Sequence, residues 1–176
     1  MLVTGPPGCG KTTVLLKLYK LLGDRGYVVG GIISPEMRRE GIREGFEIVD
    51  LLGRRGILAH ISLATSGAPM ISRYGVDLRD LDEISREAFS RDADVFIVDE
   101  IGPMELKSNV FASEVWRKLD SETPVAAAVH FRTSAGFIAR VKDRSDTRLV
   151  VVTAKNRDRL PDLMCQQIVE ALGPSE

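Results

Sequence analysis

The sequence predicts a three-layer α/β/α sandwich. In it a mostly parallel sheet lies between helices, with an antiparallel hairpin inserted at about residues 36–62 of a single 1–176 domain. Three observations predict it. First, Met1-Leu2-Val3-Thr4 reads as the end of a buried strand, and Gly5-Pro6-Pro7-Gly8-Cys9-Gly10-Lys11-Thr12 follows at once. Val14, Leu15, Leu18, Leu21 and Leu22 then recur at helical spacing, with Gly23 placed to stop the helix. Second, Val95–Val98, Pro124–Val129 and Leu149–Thr153 are continuous apolar runs, the pattern of parallel strands buried on both faces. Third, Phe46–Leu51 alternates, Gly53-Arg54-Arg55-Gly56 supplies a turn, and Ile57–Ile61 returns, which is a hairpin signature.

The remaining elements follow in order. Asp24-Arg25-Gly26 is a turn, and Tyr27–Ile33 reads as a strand ended by Ser34-Pro35. Glu36–Gly45 is polar and basic and carries no strand pattern. Thr65–Met70 is a loop and Ser72–Asp77 a short strand. Residues 78–91 read as a helix with Leu81, Ile84, Ala88 and Phe89 on one face. Further helices are expected near 108–119 (Phe111, Val115, Trp116, Leu119) and 134–142 (Phe137, Ile138, Val141). Leu160, Met164, Ile168 and Leu172 stripe the last one. Only four residues precede Gly5, whereas strands commonly run about 5–6 residues, so the first strand is expected to be short.

Composition narrows the function. Apolar residues make up 44% and charged residues 28% of the 176, an ordinary globular balance. The net charge of −1 provides no global basic field for nucleic acid. No apolar run approaches the roughly 20 residues of a membrane span, and the early glycine-rich loop is not a signal peptide. Cys9 and Cys165 form neither a metal pattern nor a disulfide framework. The balance is that of a cytoplasmic protein.

The chemistry starts with the loop. Gly5 to Thr12 is G-x-x-x-x-G-K-T, the phosphate-binding loop written in full. Its glycines let several backbone N–H groups converge on one phosphate, and the helix that follows adds its positive end. Lys11 reaches the β- and γ-phosphates, and the Thr12 hydroxyl is a ligand for Mg²⁺. The second motif is Val95–Val98 followed by Asp99-Glu100, the Walker B pattern. Strand carboxyl ends meet at the ligand crevice in such a sheet, so Asp99 is expected beside the loop, sharing the Mg²⁺ shell with Thr12. Glu100 is placed to accept a hydrogen bond from water and aim it at the γ-phosphorus.

These pieces carry a family resemblance. GPPGCGKTT, ISPE with its arginines, GFEIVDL, VDEIGPMEL and VVVTAKNRDRL occur in order from residue 1 to about 165. Together they resemble the P-loop nucleoside-triphosphatase family that includes the cancer-related nucleoside triphosphatase. GPPGxGKTT is common to many P-loop families, and DEIGPMEL with the GFEIVDL hairpin is far more diagnostic. The resemblance implies the P-loop fold and Mg²⁺-dependent hydrolysis of ATP, GTP and other nucleoside triphosphates, with broad base tolerance and slow turnover. It implies nucleotide contacts from Gly5, Pro6, Pro7, Gly8, Cys9, Gly10, Lys11, Thr12 and Thr13, and from the 95–102 stretch including Asp99, Glu100, Ile101 and Gly102. Asn156 and Arg157 fall, by the same resemblance, near the base. The position after Gly8 is often aliphatic in the family, so Cys9 is a mild departure.

Other residues are open candidates. His130, at a strand end, is either a γ-phosphate sensor or a residue bonded to the backbone. Arg38, Arg39, Arg43, Arg132, Arg140, Arg144 and Arg148 include candidates for a transition-state cation, and the sequence does not choose among them. Glu36 and Glu105 are candidates to face the crevice, with Glu105 read first as an acid suited to a helix start. Two alternatives to a hydrolase follow from the same residues. One is a nucleotide or small-molecule kinase with 132–148 as lid, and the other is a switch acting through a protein partner, which the sequence does not identify.

Overall fold

A computed structural model describes residues 1–173. The chain runs β1 (Leu2–Thr4), α1 (Lys11–Gly23), β2 (Val29–Ile33), β3 (Glu36–Arg39), β4 (Ile42–Asp50), β5 (Arg55–His60), β6 (Met70–Ile71) and β7 (Tyr74–Val76). It continues α2 (Leu78–Ser90), β8 (Val95–Ile101), α3 (Asn109–Leu119), β9 (Val125–Val129), α4 (Gly136–Lys142), β10 (Leu149–Val151) and α5 (Leu160–Leu172). Single 3-10 turns lie at Ile61–Thr65 and Glu105–Lys107.

One sheet holds the strands together, in the order β10-β1-β9-β8-β2-β4-β5-β7-β6, with β3 alongside β4. From β10 to β2 all pairings are parallel, and from β2 onward they are antiparallel. The inner parallel strands are covered on both faces, and β8 is apolar up to the Asp99-Glu100 pair near its end, whereas the edge strand β10 is exposed at Leu149 and Val151. In β8, Val95 and Ile97 join one core with α1 and α5, while Phe96 and Val98 join the other with α2 and α3. β9 divides the same way, with Ala126 and Ala128 against Ala127 and Val129. That is the period-2 geometry of a strand read out on two buried sides. Among the described residues no helix is long and apolar enough to cross a membrane.

The sequence reading requires correction at several places. Glu36–Gly45 is β3 and the start of β4, joined by a tight turn at Glu40-Gly41. Both turn residues have positive φ, 50° and 79°, as a type I′ hairpin turn demands. Glutamate is an uncommon choice there, and these strands are largely exposed, so neither turn nor apolar alternation announces them. The expected strand at 72–77 is split into β6 and β7 by a turn at Ser72-Arg73, where Ser72 has a φ of 55°. Tyr27 and Val28 precede β2 rather than belonging to it, and β10 stops at Val151 instead of Thr153.

Candidate active site

The start of α1 is built to take an anion. α2 and α3 are capped by side chains: Asp77 accepts from the N–H groups of Arg79 and Asp80, and Ser108 from that of Phe111. α1 has neither a side-chain cap nor an acidic residue in its first turn. Its first N–H groups are therefore left to a ligand. Gly8 and Gly10 turn the loop with φ of 77° and 107°, which side chains rarely adopt. The Cys9 sulfur packs beneath the loop, where it would lie 2.7 Å from a Cβ on Gly5.

β1, β9 and β8 are neighbours, so their carboxyl ends bring loop and Asp99 together. Two bonds hold those ends in line. The Thr4 hydroxyl donates to the Val129 carbonyl at 2.9 Å, and the His130 N–H donates to the Ile101 carbonyl at 3.2 Å. Lys11 then bridges the site. Its Nζ donates to the Gly5 carbonyl at 3.1 Å and lies 3.5 Å from Glu100 Oε2. The Asp99–Glu100 peptide is cis.

A cavity of about 520 Å³ opens over these groups. Gly5, Pro7, Gly8, Lys11 and Thr12 form one end, and Asp99, Glu100 and Gly102 lie with them. Glu36, Arg43 and Phe46 from the hairpin also line it, as do His130, Phe131 and Arg132 after β9. Pro6, Cys9, Gly10, Thr13, Ile101, Asn156 and Arg157 do not line it. The Ile101 side chain is fully buried in the core, so only its backbone is near the site. Asn156 spends its amide on the backbone, accepting from the Thr153 N–H at 2.8 Å and donating to the Val151 carbonyl at 2.9 Å. Arg157 runs along the phosphate loop, its Cδ 3.6 Å from where Gly10 would carry a Cβ.

Burial sets the electrostatics of the floor. It pushes the Asp99 carboxyl up to about 6; the nearby Glu100 carboxylate adds to this, while hydrogen bonding from Thr12 and the Lys11 charge oppose it. Glu105 is the residue that sequence reasoning undervalued. The Gly102-Pro103 turn folds it back under the strand end, where it is 5% exposed and lines the cavity. A Cβ on Gly102 would meet Glu105 Oε2 at 2.9 Å and Glu100 Oε1 at 3.5 Å, so the two carboxyls converge on this glycine. Burial pushes Glu105 up to about 8, with Glu100 and Asp99 adding to the effect. Ser34, also missed, lines the cavity with a buried hydroxyl that has no hydrogen-bond partner among the described residues. A Gly-Pro turn beginning two residues after a Walker glutamate is the signal that finds Glu105, and no local signal marks Ser34.

The His130 ring is bonded to a side chain rather than to the backbone. Its Nδ1 pairs with the Thr133 hydroxyl at 2.7 Å, and the residue also lines the cavity. The loop that bears it is fixed by Lys142, whose ammonium donates to the carbonyls of His130, Phe131 and Thr133 at 2.8, 3.3 and 2.8 Å.

A family model described as NTPase matches residues 1–165. The chain belongs to that nucleoside-triphosphatase family. It is 46% identical to the nucleoside-triphosphatase THEP1 of Methanothermobacter thermautotrophicus, over 98% of this chain and 95% of the relative. The THEP1 of Thermofilum pendens is 41% identical over 98% and 96%. Among solved structures, a human cancer-related nucleoside triphosphatase superposes with a TM-score of 0.82 at 29% identity, over 97% of each chain. THEP1 from Aquifex aeolicus gives 0.78 at 27% identity, over 96% of this chain and 98% of its own. The nucleoside-triphosphatase sheet thus carries the expected P-loop fold, and these relatives favour neither the kinase nor the switch.

Proposed function

We propose that this nucleoside-triphosphatase hydrolyses ATP, GTP and other nucleoside triphosphates to diphosphate and phosphate in a Mg²⁺-dependent, base-tolerant and slow reaction, as a cytoplasmic enzyme of one domain. The observation that carries the proposal is Glu100 beside Lys11, 3.5 Å apart, at the mouth of an uncapped helix. The α1 N–H groups and Lys11 bind the phosphates and hold the γ-phosphorus toward β8. Glu100 accepts a proton from water as the water oxygen bonds to the γ-phosphorus and the bond to the bridging oxygen breaks. The incoming phosphate also draws Lys11 away from Glu100 and frees that carboxylate to serve as base.

The donors suit a magnesium ion. Asp99 is a nearly buried carboxyl that burial pushes toward neutrality, and it lies with Thr12, an alcohol oxygen, at the loop. Thr12 and Asp99 would hold Mg²⁺, which when bound neutralises charge on the β- and γ-phosphate oxygens. Base tolerance is supported by Asn156, whose amide is already spent on backbone and offers no fixed edge to read a base. Arg157, free to stack, would accept any base by its π-face.

The test is phosphate release from ATP, GTP, CTP and UTP, with Mg²⁺ or with EDTA, by the wild type and Glu100→Gln. Release from several triphosphates, lost with EDTA and reduced at least about a hundredfold in the variant, is expected. Nucleotide affinity should survive the substitution. A variant as fast as the wild type removes Glu100 from the role of base.

A further inference from the structure

Seven arginines stand out in the sequence as possible transition-state cations, and the fold sorts them. Arg140 and Arg144 lie over the Trp116 ring, at 4.4 and 5.2 Å, and Arg144 is pinned to Asp120 and Asp146. Arg38 spends its guanidinium on Glu36 and the Gly41 carbonyl. Arg39 and Arg148 do not line the cavity, whereas Arg43 and Arg132 do. These last two differ in one respect. Both are exposed, but Arg132 makes no hydrogen bond or ion pair among the described residues. Arg43 is held on three sides.

Its Nη1 donates to Glu36 Oε1 at 2.7 Å, its Nε to the Tyr74 hydroxyl at 3.2 Å, and its guanidinium lies 5.2 Å from the Phe46 ring centroid. Arg38 pairs with the other Glu36 oxygen, so Glu36 is held from both sides. Arg73 donates to the Arg43 carbonyl at 2.6 Å and fixes the backbone beneath. Among the described residues Nη2 of Arg43 has no hydrogen-bond partner, which leaves it two N–H donors to offer.

We infer that Arg43 is the catalytic arginine of this enzyme, supplied from its own inserted hairpin and meeting the γ-phosphoryl oxygens across the cavity, with Glu36 and Tyr74 as its positioning residues. This rests on the hydrolase reading above. Charge that develops in a phosphoryl-transfer transition state is best met by a donor already oriented, because no ordering cost then falls due at the moment of reaction. Arginine side chains carry large rotamer entropy, and contacts to Glu36, Tyr74 and Phe46 remove it in advance for Arg43. Arg132 would have to be ordered on each turnover. The site is thus complete within one chain and needs no arginine from a partner.

The test uses the full chain with Mg²⁺ and ATP. Arg43→Lys keeps the charge, and Arg43→Ala removes it. Both should lower kcat by about 10²-fold or more while affinity for a non-hydrolysable ATP analogue stays within about threefold. Millimolar guanidinium should restore part of the activity of Arg43→Ala and leave Arg43→Lys and wild type unchanged. ADP with aluminium fluoride, which mimics the transferring phosphoryl, should be trapped by wild type and Arg132→Ala but not by Arg43→Ala. Melting temperatures separate misfolding from lost chemistry. Hydrolysis by both Arg43 variants at the wild-type rate overturns the inference and leaves the hydrolase reading standing. So does a loss of trapping in Arg132→Ala alone. If the wild type releases no phosphate from any triphosphate, the hydrolase reading itself has failed.

Discussion

The floor and the hairpin wall of the cavity shift their carboxyls in opposite directions. On the floor, burial pushes Asp99 up to about 6 and Glu105 up to about 8. On the wall, the hydrogen bond from Arg43, with Arg38 adding to it, holds Glu36 below the usual carboxylate range. The floor is desolvated and short of positive charge. The wall is wetter and already compensated, since two guanidiniums share one carboxylate. The two sides of one site therefore have different dependences. The floor gains its charge balance from what binds, whereas the wall is held by its own ion pairs.

The largest break in that contrast comes from Lys11, the cation whose field reaches Asp99. Lys11→Ala should leave the floor with carboxyls and no nearby counter-charge. Turnover is expected to fall by about 10²–10³-fold, as when a single preorganised donor to developing charge is lost. Nucleotide affinity should fall with it, because Lys11 touches the ground state as well. Calorimetric titration with a non-hydrolysable triphosphate reads the second effect directly. Unchanged affinity would mean that the loop does not hold phosphate in the way its geometry indicates.

This contrast also explains what could be read without a structure. The floor was largely legible, because the phosphate loop and the Val95–Glu100 run each place their chemistry on contiguous residues. Its exceptions are contributed by chain reversal and by strand adjacency. Glu105 returns through the Gly102-Pro103 turn, and Ser34 enters because β2 lies next to β8, in register from Val29–Val95 to Ile33–Asp99. The wall was legible only in its second half. β4 and β5 alternate around an apolar side, whereas β3 is exposed at three of four positions and leaves no hydrophobic period to detect. Arg43 could not be told from six other arginines because its distinction is the company of Glu36, Tyr74 and Phe46, which lie 7, 31 and 3 residues away in the chain.

A second, intermediate test sharpens the floor's desolvation. Glu105 holds its proton in the folded protein up to about pH 8, whereas the unfolded chain releases it at the ordinary carboxyl value. Between those limits the native state binds the extra proton. Its contribution to stability is therefore full at low pH and is lost as pH rises, by up to about 1.4 kcal/mol per unit. Glu105→Gln keeps the shape and removes the proton. Urea denaturation at pH 6 and pH 9, without magnesium or nucleotide, should show the variant gaining on the wild type as pH rises. A constant difference between them would mean that the Glu105 carboxyl is not desolvated in solution. Glu36 has the opposite sign, its contribution being lost as pH falls, and its exposure makes the effect small.

The smallest expected effect tests the wall's independence from the ligand. Glu40 holds a φ of 50° at the tip of the β3–β4 turn, a left-handed conformation that costs residues with a bulky Cβ substituent and suits asparagine. Glu40→Asn should stabilise the chain by about 0.5–1 kcal/mol, a rise in melting temperature of about 1–4 °C. The tip is exposed and lies beyond the Glu36–Arg43 pair, so the register that brings Arg38 opposite Arg43 should be reinforced rather than altered. Because the wall is held by its own ion pairs, the same rise is expected with and without magnesium nucleotide, and kcat should not change. If the gain in melting temperature vanished on adding nucleotide, the hairpin would be reorganising around its ligand, and the two sides of the cavity would be more alike than their charges indicate.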